Sequence, residues 1–132
     1  LQSMASKFKS NVSTPAKSLL CPMIDARRME VYTALFGQNL DFIKPTSATI
    51  IDELTFSEEL EKNNIIFFGD GMKKTIQLIG NHANATFFED FEPSASGMVN
   101  FSENSYNQKQ FESTAYFEPF YLKDFYTPRQ PL

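Results

Sequence analysis

Three stretches of this chain predict an α/β fold. Leu19–Ile24 and Met29–Phe36 are apolar runs separated by the polar turn Asp25-Ala26-Arg27-Arg28, which is the pattern of a β-hairpin. Ile65-Ile66-Phe67-Phe68 is a continuous apolar run of the kind buried on both faces of a sheet. Helical patterns alternate with these runs, with Met72, Ile76 and Ile79 falling on one side of a helix directly after the third run.

The elements follow in order. Residues 1–9 read as the tail of a helix, and 11–18 as a polar linker containing Pro15. In the second arm of the hairpin, Met29, Val31, Thr33 and Leu35 share one face, while Glu30, Tyr32, Ala34 and Phe36 share the other. Both faces are largely apolar, so this arm is expected inside the sheet. Residues 37–45 read as a connection and 48–51 as a short extended piece. Thr55 and Glu58 have the spacing of a capping box opening a helix to about Lys62, with Phe56 and Leu60 on its buried side. Gly80-Asn81 is a stop for the helix that begins at Met72. A strand is expected at 85–88. Pro93-Ser94 can open a further helix whose inner side holds Ala95, Met98, Val99 and Ser102. Residues 104–112 read as a loop, 115–122 as a last extended segment with Pro119 unsuited to a central strand, and 126–132 as a frayed tail.

The composition narrows the function. The chain has 132 residues, room for one domain, with 14 Phe and 5 Tyr to build its core. A formal charge of −4 argues against independent binding to a nucleic-acid backbone, because the basic residues occur at most in pairs such as Arg27-Arg28 and Lys73-Lys74. The lone Cys21 excludes an internal disulfide and fits a reducing cytoplasm. No apolar run approaches the roughly 18–20 residues of a membrane span.

Several groups are candidates for function. Asp25, Arg27, Arg28 and Glu30 form a charged hairpin tip, where arginine forks suit carboxylate or phosphate of a partner; the simpler reading is an exposed turn with local ion pairs. Gly69-Asp70-Gly71 lies between an apolar strand and a helix, a place where glycines admit a nucleotide; the alternative is a turn in which Asp70 caps the helix. His82 is expected in a loop, with no nucleophile or metal partner evident from its surroundings. Glu89, Asp90 and Glu92 are an acidic cluster that suits a cation or a solvated loop. Cys21 is expected buried and inert. Tyr32 reads as a core aromatic, and Tyr121-Leu122-Lys123 as a packing segment with a solvated lysine. No residue stands out as catalytic, and neither a metal site nor a cofactor is expected.

Three segments together resemble the TsaB family, relatives of the actin-like ATPases. Cys21-Pro22-Met23-Ile24-Asp25-Ala26-Arg27-Arg28-Met29-Glu30-Val31-Tyr32 resembles that family's Asp-Ala-Arg-Arg-Gly-Glu-Val-Tyr hairpin, with Met29 in place of the usual Gly. Gly69-Asp70-Gly71 and Glu118-Pro119-Phe120-Tyr121-Leu122-Lys123-Asp124-Phe125 follow in the family's order, the latter near its terminal Pro-x-Tyr-Leu. The resemblance implies the second lobe of a ribonuclease H-like, actin-like ATPase fold, with a mixed sheet and flanking helices. It places residues 1–18 as the end of a helix and a linker from a first lobe, 19–125 as the second lobe, and 126–132 as a tail. Chain start at Leu1 fits a piece of a longer protein, and the family's first-lobe Gly-Pro-Gly-Ser-Phe-Thr-Gly-Leu-Arg segment does not occur here.

The resemblance also implies a role. TsaB-like proteins are non-catalytic partners of the catalytic subunit TsaD and, with the ATPase TsaE, support threonylcarbamoyl transfer to an adenosine next to the tRNA anticodon. The tRNA would be reached only through the partner, a homo-oligomer is possible, and no membrane is involved. Two rival readings are a vestigial nucleotide-sensing lobe and a peptidase, as the family's older glycoprotease label suggests. A peptidase would need a metal or nucleophile set that the sequence does not supply.

Overall fold

The computed structural model describes residues 1–123. Four helices, α1 (Gln2–Asn11), α2 (Ser57–Lys62), α3 (Met72–Ile79) and α4 (Val99–Asn107), surround five strands: β1 (Leu19–Asp25), β2 (Glu30–Phe36), β3 (Phe42–Ile50), β4 (Ile65–Phe68) and β5 (Ala85–Phe88). The strands form one sheet in the order β3-β2-β1-β4-β5. β2 runs antiparallel to both β1 and β3, whereas β4 and β5 run parallel to β1. This is a mixed α/β sheet of the ribonuclease H-like type.

Alternation along the central strands produces two cores. Leu19, Cys21, Met23, Ile65 and Phe67 point to one face, where they meet Leu60 of α2 with Phe56 before it, and Met72 and Ile79 of α3. Leu20, Ile66 and Phe68 point to the other face and meet Met4, Ala5 and Phe8 of α1. The Phe8 ring stacks on Phe68 with centroids 4.2 Å apart and meets the edge of Phe88 at 5.0 Å. Helix α1 is thus built into the same core as the strands. β2 lies between β1 and β3, inside the sheet as its two apolar faces require. Pro22 sits in the central strand β1, where it removes one ladder donor.

Several sequence expectations are corrected. Residues 42–50 form a nine-residue edge strand, longer than the short piece expected at 48–51. Its polar Lys44-Pro45-Thr46-Ser47 stretch hides the signal, since an edge strand pairs through its backbone and needs no apolar alternation. The register to β2 shifts between Ser47 and Lys44, so Pro45 falls at an irregularity that tolerates it. The Thr55–Glu58 capping box does not form. Thr55 Oγ1 donates instead to Asp52 Oδ1 at 2.7 Å, and α2 starts after Phe56, whose φ is 67°. The helix expected after Pro93-Ser94 begins as a 3₁₀ turn, Ala95–Met98, and α4 continues to Asn107, into the expected loop. Its expected inner residues Met98 and Val99 are exposed. The inner position belongs to Gly97, where a Cβ would lie 2.0 Å from the Ser3 carbonyl oxygen, so backbone rests on backbone and the side chains beside it turn outward. No strand forms over 115–122. Residues 126–132, and the last two residues of the Glu118–Phe125 segment, lie outside the described residues.

Candidate functional site

The two sequence candidates, the hairpin tip and the glycine turn, meet at the C-terminal ends of β1 and β4. These strands pair in parallel with Pro22 opposite Phe68, so Asp25 and Asp70 emerge side by side. The Asp25 amide donates to Asp70 Oδ1 at 3.1 Å. Asp70 therefore does not cap α3, whose first turn has no side-chain cap and whose N-cap position is Gly71.

Packing accounts for the glycines. Gly69 has φ 100°, and a Cβ there would lie 2.2 Å from the Met23 carbonyl oxygen. Gly71 donates its amide to that same oxygen at 3.3 Å, and a Cβ on it would approach the Ile24 carbonyl carbon to 2.9 Å. The turn is closed against β1 by these contacts.

Lysines brace the tip. Lys74, on α3, donates to Asp25 Oδ1 at 2.8 Å and to the Glu30 carbonyl oxygen at 3.1 Å, joining both arms of the hairpin to one helix. The Arg27 amide also donates to Asp25 Oδ1 at 2.8 Å. The hydrogen bond from Lys74, and then that from the Arg27 backbone, hold the Asp25 carboxyl below the usual carboxylate range. Lys123 donates to both carboxylate oxygens of Glu30, at 2.7 and 2.5 Å, so it pins the last described residues to the hairpin. Lys123 is exposed, as expected of a solvated lysine, and adds this ion pair, whereas Tyr121, expected to pack, is 62% exposed.

Arg27 and Arg28 differ from their neighbours. Both are exposed, and their φ angles are 71° and 48°. Among the described residues neither guanidinium joins an ion pair or a hydrogen bond. Among the described residues the tip therefore presents two exposed arginine forks on a backbone fixed from below.

The other candidates are dispersed. His82 is exposed in the loop after α3, where its Nδ1 accepts from the Asn84 amide at 3.2 Å. Glu89, Asp90 and Glu92 line an open cleft of about 560 Å³ between α1 and the segment after β5, together with Lys7, Phe8 and Phe91. Lys7 Nζ donates to the Glu92 carbonyl oxygen at 2.6 Å and lies 5.8 Å from the Phe91 ring centre. Among the described residues no group of three His, Cys, Asp or Glu is placed to hold a metal ion. Cys21 is fully buried and contacts Thr33 Oγ1 at 3.2 Å, and burial pushes its thiol up to about 12. Tyr32 is half-buried on the α1 face.

Sequence reasoning missed Lys74 and Lys123 as braces. For Lys74 a signal existed: the parallel pairing of two strands, one ending in Asp25 and the other leading into a helix, carries the first turn of that helix past the aspartate. No local signal ties Lys123 to Glu30. No protein-family model matches the chain, and no curated protein matches it. Among the described residues, no helix is long and apolar enough to cross a membrane.

Proposed function

We propose that this chain is a non-catalytic scaffold or activator module of the TsaB type, working with a TsaD-like catalytic subunit and a TsaE-like ATPase in threonylcarbamoyl transfer to tRNA. The observation that carries the reading is the hairpin tip. The segment that most resembles the family, Asp25-Ala26-Arg27-Arg28-Met29-Glu30, is also the one the fold braces with two lysines while both arginines stay exposed, with no ion pair among the described residues. A braced, exposed pair of arginine forks is equipped to grip another surface. The acidic balance of the chain agrees with tRNA being held by the partner rather than by this module. A site inside the cytoplasm and an ability to self-associate belong to the same proposal.

A nucleotide-sensing role gains no separate support. The Gly71 amide is engaged by Met23, and both glycines are required by the approach of the turn to β1. A loss of nucleotide binding on replacing them would therefore report unfolding as readily as a lost ligand contact.

The test is reconstitution. TsaD-like and TsaE-like proteins from the same organism would be supplied with tRNA, ATP and threonylcarbamoyl adenylate, with and without this chain. Faster formation of modified adenosine with the chain present is the expected result. An unchanged rate, with a full-length TsaB protein stimulating in the same assay, would contradict an activating role for this module.

A further inference from the structure

We infer that the middle of β3 is a built-in block against strand addition, which keeps the apolar ends of this edge strand from pairing with β3 of a second copy of the chain. The block concerns pairing between copies and is independent of the partner proposed above.

The hazard lies at the sheet edge. β3 is the last strand of the sheet, and among the described residues no strand pairs with its outer side. A nine-residue strand with a bare edge offers a row of backbone groups to another chain. Its ends are apolar, since Phe42, Ile43 and Ile50 are 51%, 49% and 69% exposed. In an antiparallel pairing of β3 with its copy, a two-fold axis at Thr46 sets Phe42 opposite Ile50 of the second copy, and the symmetry repeats that contact at the other end. Apolar pairs across a ladder favour it.

The middle of the strand opposes such a ladder in three ways. Pairing with β2 is regular over residues 47–50 and then breaks twice. Lys44 is the partner of Leu35 and Phe42 the partner of Phe36, so Pro45 and Thr46 together face Ala34, and Ile43 has no partner on β2. Each extra residue bends and twists the strand, so its outer backbone groups do not stand in one straight row. Pro45 adds a chemical obstacle, because it has no amide hydrogen and falls next to the axis that self-pairing needs.

Lys44 supplies the third obstacle by turning inward. Leu35, its partner across the ladder, is fully buried in the core on the α2 side. Lys44 forms an ion pair there with Glu59 of α2, whose side chain is 14% exposed. A one-residue change of register turns each side chain to the opposite face. Straightening the strand to accept a partner would therefore draw Lys44 away from Glu59. The proline, the larger break and the inward lysine fall together at residues 44–46, the centre of the strand, between two apolar ends.

The experiment is sedimentation equilibrium on the whole chain, with the wild type beside Pro45→Thr and a double variant, Lys44→Thr with Pro45→Thr. Thermal melts would establish that the variants fold, and Pro45→Ala, which restores the amide hydrogen with the smallest side chain, replaces any that do not. Self-association is expected to be at least about tenfold tighter in the variants than in the wild type. Amide exchange along β3 should slow with it, and adding Ile50→Lys should return association to the wild-type level. Unchanged association would overturn the block. So would tighter association that Ile50→Lys leaves in place, because the contact would then lie elsewhere. A wild-type dimer whose β3 amides are already protected by the second copy would overturn it as well.

Discussion

Gly69 shows how tightly one residue can be constrained. Its φ of 100° and the 2.2 Å separation of a built Cβ from the Met23 oxygen leave no room for any side chain. Gly69→Ala is expected to lower stability by at least about 2 kcal/mol, read from urea unfolding. A variant as stable as the wild type would show that the turn does not close on β1 in this way. Asp25 makes a separate point through its charge. Its folded-state carboxyl is depressed, chiefly by Lys74, so ionised Asp25 favours the folded state above its unfolded pKa. That contribution disappears as pH falls through the depressed value. Carboxyl titration followed by NMR should find Asp25 ionised further into acid than a free aspartate, and Lys74→Met should move it upward. An Asp25 titration unaffected by that substitution would remove Lys74 as the brace.

Helix α1 and the strands it covers depend on one aromatic cluster. Phe8 is buried, stacks on Phe68, and meets Phe88 and Phe91. Phe8→Ala is expected to cost about 3–5 kcal/mol and to speed amide exchange across α1 and β5 more than in β2. Uniform exchange would indicate that α1 is not held through this ring. Element by element, the sequence was readable wherever burial imposed a period. β4 has four apolar residues in a row because both of its faces are covered, and α3 shows its apolar stripe because one face meets the sheet. It was not readable where the backbone alone decides. β3 is an exposed edge with a proline, the Thr55 hydroxyl had Asp52 available as a competing partner, and Gly97 reversed the expected inner face at the start of α4. At the candidate site, the charged tip and the glycine turn were visible as separate motifs. Their union, and the lysines that brace it, depend on the parallel pairing of β1 with β4 and on a contact between Lys123 and Glu30 across 93 residues.

Taken as a molecule, the chain combines a well-filled sheet with apolar groups left on its outside. Phe42, Ile50 and Leu54 are exposed at the β3 side, and Phe111, Tyr116, Phe117 and Phe120 are exposed after α4. Large apolar side chains at this density favour association with another surface over a solitary monomer. The proposed role would add charge matching at the exposed arginines of the braced hairpin tip, which discriminates among partners that apolar burial alone would accept.

Light scattering on this chain, alone and mixed with the TsaD-like subunit from the same organism, is the measurement that bears on that role most directly. The expected result is a particle whose mass equals the subunit plus one or more copies of this chain, at concentrations where each is also measured separately. Two unshifted masses, under conditions where a full-length TsaB protein does form the complex, would contradict a partner-holding role for this module.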